Sequence, residues 1–436
     1  MNASIFSKPI YGNSLEEGRP LAVQQHDKVV ISGQFKDSST RLGLSSEIFS
    51  RNILCTGGGG SGKTNAISSI VHQIKTNMQH NDVMVIFDTK GDYFHEFYDR
   101  QTDAIIGSSP QYQTISEKWN VFHEITADGD QEQQVILNSN ELAASLFERN
   151  KSAHQPFFAN AARSIFSAYL LAVWRESMLD GEFRKNYMHN EKLYNYFNTS
   201  GIENYFALAD SGSDMASIRT YLGDGSSEQA MGVLSELLIV IRDIFVSAFG
   251  RKGDFSIRRF VNEKRGRTLF IEYDLSIGET LVPIYSLLID LVIKESLSQG
   301  SSGNTYIILD EFKLVPYMKH IDDAVNFGRS FGLKIIAGLQ NVSQLYQNYG
   351  EHKSRAILSG FGSMFAFRPN DNITRDFIRE YFGRNISYEM IQTSEMVKER
   401  RNGHTAEEWE INSLRKGEAI IGLGSTPPFR FLFDLF

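Results

Sequence analysis

The run Gly57, Gly58, Gly59, Gly60, Ser61, Gly62, Lys63, Thr64 fits G-x-x-x-x-G-K-[ST] without a gap and lies between an apolar run and a helix-compatible one. The glycines let successive backbone N–H groups turn inward on a phosphate, and a following helix adds the positive end of its dipole. At this spacing Lys63 meets the β- and γ-phosphates of a nucleotide such as ATP, and Thr64 meets a Mg2+ ion. A chain with 35 glycines can produce the pattern by accident, so the flanking residues have to support it.

They do. Asn52 to Thr56 (NILCT) is a short apolar strand aimed into the loop, and Ile67, Ile70, Val71 and Ile74 place one apolar face on the helix that leaves it. Val83 to Phe87 (VMVIF) is a continuous apolar run, as in a parallel sheet covered on both faces. It ends in Asp88-Thr89-Lys90-Gly91-Asp92. Polar residues at the carboxyl end of such a strand face the ligand side of an open α/β sheet, which makes Asp88 and Lys90 candidates for nucleotide contact; a plain turn is the alternative.

The second half of a nucleotide site follows at Thr305 to Glu311, TYIILDE. A buried strand ends there in two carboxylates, with Asp310 suited to the Mg2+ shell and Glu311 suited to orienting and polarising an attacking water. Lys334 to Leu339 (KIIAGL) is a further buried strand, and Gln340 at its end can sense a γ-phosphate or water without carrying charge. Ser363 to Phe367 (SMFAF) runs into Arg368-Pro369-Asn370-Asp371, a helix follows toward Tyr381, and Gly417 to Gly422 reads as an edge strand.

Between these halves, Gln131 to Gly250 is dominated by helical spacing, with Phe157, Phe158, Phe166 and Tyr169 expected in its core. The N-terminal stretch has period-2 pieces at Lys28 to Gln34 and Thr40 to Leu44. The expected organisation is a β-rich lead-in over 1–46, a nucleotide-binding domain over 47–130 and 255–436, and an all-α insertion over 131–254. With 436 residues and 41% hydrophobic content the chain can bury a large core. No apolar stretch reaches the roughly 18 residues of a membrane helix. The single cysteine, Cys55, excludes an internal disulfide, and a cytoplasmic setting is expected. The net charge of -8 argues against a surface that coats nucleic acid everywhere, although Arg251 to Arg267 is a local basic run.

Taken in order, GGGGSGKT, FDTKGDY, the pair Trp119-Asn120, PFFANAARSIFSAYL, ILDEF and FGRSFGLKIIAGLQNVSQLYQNYG resemble the ATPase part of conjugative coupling proteins of the TraG and TraD type. These sit within the wider group of ring-forming DNA translocases that includes HerA and FtsK. The resemblance, from about Arg51 onward, implies a RecA-like P-loop domain with a mainly parallel sheet, interrupted by an all-α domain, working as an ATP- and Mg2+-dependent DNA translocase in a homo-hexamer. It assigns Lys63 and Thr64 to phosphate and metal, Asp310 to the metal shell, Glu311 to water activation and Gln340 to coupling. It makes Arg329 a finger acting in trans on a neighbour's nucleotide. Coupling proteins of this type usually begin with membrane helices and this sequence shows none, so the implied motor would reach the inner membrane through a membrane-anchor partner, with a relaxase as cargo-side partner. Two other readings remain open: a nucleotide-switched adaptor that recruits protein cargo, and a soluble HerA-like translocase working with a nuclease partner in repair or defence.

Overall fold

The computed structural model describes residues 5–6, 9–147, 156–298, 302–392, 396–424 and 426–436. Two compact units emerge: Met1–Phe87, Ser302–Leu314 and Asp322–Phe436 form the first, and Asp88–Ser301 with Val315–Ile321 the second. In chain order the strands are β1 (Ile5–Phe6), β2 (Val29–Phe35), β3 (Ser38–Leu44), β4 (Ile53–Thr56), β5 (Val83–Asp88), β6 (Ala104–Ile106) and β7 (Arg267–Glu272). They continue with β8 (Thr305–Leu309), β9 (Leu333–Leu339), β10 (Ser363–Phe367), β11 (Arg384–Gln392), β12 (Met396–His404), β13 (Glu418–Leu423) and β14 (Phe429–Phe433).

In the first unit nine strands lie side by side in the order β3, β2, β14, β13, β10, β4, β9, β8, β5. From β10 to β5 every pairing is parallel. Each of these strands is an apolar run buried almost throughout, because helices cover parallel sheets on both faces. The helix Lys63–Asn77 covers part of the sheet with Ala66, Ile67, Ile70, Val71 and Ile74. The strand that enters the glycine loop, β4, and the strand that ends in Asp310, β8, are separated by β9. This is the RecA-like P-loop arrangement that the sequence led us to expect.

An antiparallel wing extends the sheet beyond β10. The stretch expected at the sheet edge, Gly417 to Gly422, is instead interior: β13 lies between β10 and β14 and all six of its residues are buried. The edge is taken by the N-terminal hairpin. Lys36 and Asp37 join β2 to β3 with φ of 49° and 61°, the two positive values a type I′ turn requires. A separate sheet, β1-β11-β12, had no counterpart in the sequence reading.

The second unit pairs β6 with β7 in parallel, and its remaining elements are mostly helices. The expected divisions at 130/131 and 254/255 both fall inside this unit, which begins at Asp88 and has the helix Asp92–Phe97 as its first. The helix Phe157–Leu179 packs on Glu132–Leu146 and Glu228–Ile244. By length and composition it could cross a membrane, but 61% of its apolar window is buried, so here it is a core helix. Phe166 and Tyr169 are buried as expected, and Phe166 stacks on Phe197. Phe157 is not in the core, being 39% exposed at the first turn of the helix.

Glu124 ties this unit together. Buried, it accepts hydrogen bonds from Trp119 Nε1 at 2.8 Å, Ser256 Oγ at 2.9 Å, Ile257 N at 2.6 Å and Arg258 N at 3.2 Å. Asn120 meanwhile donates to the Met188 and Gly253 carbonyls, both at 2.8 Å. The Trp119-Asn120 pair is therefore a knot among three loops. Much of the basic run is also consumed internally: Arg258 pairs with Asp128 and Glu295, and Arg267 lies over Phe260 and pairs with Glu263. Arg251 and Lys252 are exposed.

Candidate functional site

The glycine loop leaves β4 at Gly57 and enters the helix Lys63–Asn77 with Gly62 as its N-cap. Gly57, Gly60 and Gly62 have φ of 149°, 70° and 117°, values that favour glycine. The loop is held from two sides. Gly57 N donates to Leu339 O at 3.2 Å and Gly58 N to Arg368 O at 2.8 Å, while Gly417 N donates to Ser61 O at 2.8 Å. A Cβ at Gly58 would lie 2.5 Å from the Asn370 amide, and one at Gly62 would lie 2.7 Å from Gly417 Cα. At Gly59 and Gly60, by contrast, a Cβ would meet nothing within 4 Å. The loop is thus packed at its ends and open in its middle. No side chain caps the helix at Gly62, which leaves its first N–H groups for an anion.

Strand register sets what faces this loop. Thr56 pairs with Leu339, so Gln340 leaves its strand level with Gly57. Leu309 pairs with Ala337, which brings Asp310 level with Gly338. Their approach is close: a Cβ on Gly338 would lie 2.1 Å from the Asp310 carbonyl oxygen. In this frame Thr64 Oγ1 donates to Asp310 Oδ2 at 3.1 Å, and Lys63 Nζ donates to Gly57 O at 2.7 Å and Gly58 O at 3.0 Å. Gln340 Nε2 donates to Glu311 Oε1. The other oxygen, Glu311 Oε2, is buried without a hydrogen-bond partner, as is Ser61 Oγ.

The structure therefore brings together Gly57 to Thr64, Asp310, Glu311 and Gln340. Cys55, in β4 beneath them, is fully buried. Burial pushes its thiol well above the usual range, with the Asp310 charge adding to the effect and Lys63 opposing it.

Two residues singled out from the sequence are placed differently. Asp88 closes β5, where its carboxylate accepts from Lys90 N at 3.2 Å, Gly91 N at 2.9 Å and Phe94 N at 2.9 Å, capping the turn and the helix Asp92–Phe97. Burial raises its pKa against those three donors. Arg329 sits in the 3-10 turn Gly328–Phe331, before β9 begins, whereas Gln340 follows where β9 ends. Seven residues at about 3.3 Å each separate the two by roughly 20 Å. Arg329 is exposed and remote from the glycine loop of its own chain.

Other neighbours of the loop carried a signal that was not used. Arg368 and Asn370 follow β10, a buried strand parallel to β4, and polar residues at such a strand end lie beside the ligand loop. Gly417 approaches through the antiparallel wing, a long-range contact that spacing does not reveal.

The donor set suits a magnesium nucleotide. Thr64 and Asp310 would supply one hydroxyl and one carboxylate to such an ion, and the open glycine cradle suits phosphate.

Comparison with known proteins bears on the whole chain. A sequence model of the type IV secretion-system coupling protein DNA-binding domain matches residues 38–412. Coupling protein TraD of Escherichia coli (strain K12) is 21% identical over 390 residues, covering 84% of this chain, which spans 49% of that relative's length. Among solved structures, the unbound bacterial conjugative coupling protein TrwBdeltaN70 superposes with a TM-score of 0.77 at 20% identity, over 100% of this chain and 95% of the other. The plasmid coupling protein TrwB in complex with ADP and Mg2+ gives 0.74 at 19% identity, over 100% and 96%. The structural likenesses are of fold, and with the sequence match across most of the chain they agree: the chain belongs to the family of type IV secretion-system coupling protein DNA-binding domains.

Proposed function

We propose that this chain is an ATPase that binds DNA and moves it at the expense of ATP, in a ring of like chains serving conjugative transfer or a related secretion system. The observation that carries the reading is Glu311. One of its oxygens is fixed by Gln340 and the other is buried without a partner, which suits a carboxylate waiting for a water. Family membership supplies DNA as the partner, and the fold it shares with TrwB, seen with ADP and Mg2+, supports the choice of cofactor.

In this mechanism the triphosphate lies along Gly57 to Gly62, and Lys63 exchanges its loop carbonyls for phosphate oxygens. Thr64 and Asp310 hold the ion. Mg2+, when bound, offsets charge on the β- and γ-phosphate oxygens. Glu311 accepts a hydrogen bond from the attacking water and aligns it, while Gln340 holds the carboxylate's orientation. Arg329 completes a neighbour's site rather than its own, in line with its place at the far end of β9. ATPase rate measured against DNA concentration, across a protein dilution series, tests the reading. Stimulation by DNA and a steep loss on dilution are expected; a rate indifferent to both would overturn it.

A further inference from the structure

Among the described residues brought together at this site, Lys63 supplies the cationic side chain, set against the two carboxylates of Asp310 and Glu311. A nucleoside triphosphate brings more negative charge than Lys63 and one divalent ion offset, so further cations at the rim would be of use. Two are built against the glycine loop. Arg368 accepts the Gly58 N–H on its carbonyl at 2.8 Å, and its own Cα therefore lies within about 5 Å of that nitrogen. Lys416 precedes Gly417, whose N–H donates to Ser61 O at 2.8 Å, which places the Lys416 Cα within about 5 Å of that oxygen. Both side chains are exposed, and neither has a hydrogen bond or ion pair among the described residues. Their neighbours behave otherwise: Arg415 and Arg430 both pair with Glu418.

The attachment is specific to the loop. Arg368 is fixed where Gly58 begins the turn, and Lys416 where Ser61 and Gly62 end it, so the two flank the open stretch at Gly59 and Gly60. An extended arginine or lysine side chain, about 6–7 Å long, spans the remaining distance to a phosphate lying on that stretch. From this placement we infer that Arg368 and Lys416 are nucleotide-binding residues in cis, contacting the phosphates of a nucleoside triphosphate from either end of the loop. The inference rests on the proposed nucleotide site and adds two residues to it.

Titration of a fluorescent ATP analogue with Mg2+ against the full chain tests it, using wild type, K63A, R368Q, K416Q and the R368Q/K416Q pair. The expected result is wild-type binding abolished by K63A, weakened about 5- to 30-fold by each single exchange and further by the pair, with R368K restoring part of the loss. Melting temperatures close to wild type are expected, since neither side chain has an internal partner to lose. Wild type and K63A binding alike would overturn the nucleotide site itself. With K63A defective, R368Q and K416Q within twofold of wild type would overturn this inference alone.

Discussion

Gln340 donates its side-chain amide to one oxygen of Glu311 and leaves the other buried and unsatisfied. A carboxylate held in this way has one free direction, and the amide decides which. Gln340→Ala is expected to keep nucleotide affinity within a few-fold while single-turnover hydrolysis falls about 10- to 100-fold. Rapid-quench measurement of phosphate release checks this, and an unchanged rate would remove Gln340 from the mechanism.

Arg329 and Gln340 occupy opposite ends of β9, so one chain cannot bring both to one nucleotide. Arg329→Ala and Lys63→Ala should each lose hydrolysis, the former by about 10³-fold. Mixed in equal amounts they should regain part of it, because a Lys63→Ala chain lends its Arg329 to a neighbour with an intact loop. Absence of recovery, with both variants still assembling, would place Arg329 outside the reaction.

Glu124 accepts four hydrogen bonds in a buried setting, so its removal strands Trp119 Nε1 and the start of the helix Ile257–Glu263. Glu124→Ala is expected to cost about 3–5 kcal/mol, read as a lower midpoint in urea unfolding. A loss below about 1 kcal/mol would show that the knot is dispensable.

His320 accounts for a pH dependence. Its hydrogen bond with Asp290 at 2.9 Å raises its pKa above the ordinary 6.5; burial opposes this, the charges of Asp290 and Glu141 reinforce it, and Lys294 works against it. Because the folded value lies above the unfolded one, the contribution is complete below about pH 6.5 and is lost as pH climbs through the raised folded value. Thermal melting of wild type should therefore decline with rising pH across that window more than melting of His320→Gln. Parallel profiles would contradict the assignment.

The glycine loop and Asp310-Glu311 were legible because their chemistry is written in consecutive residues. Gln340 was legible as a strand end, but its contact with Glu311 was not, since that depends on β9 lying between β4 and β8. The same limit explains β13: an apolar strand near the end of the chain looks like an edge until β14 and the N-terminal hairpin are seen to cover it. Strand β12 was hidden by its composition, because MVKERRNGH carries four charges in nine residues and offers no apolar alternation. Asp88 illustrates the opposite case, in which the residue type fitted a ligand site while the local backbone took up its oxygens.

Gly338 draws these strands together in another sense. Because it has no side chain, the backbone of β9 can close on the Asp310 carbonyl, and that contact fixes how wide the mouth of the site stands. A single methyl group there would act as a wedge, prising Asp310 away from the strand that carries Gln340 without altering either side chain. The spacing of the reacting groups is set by an atom the chain omits.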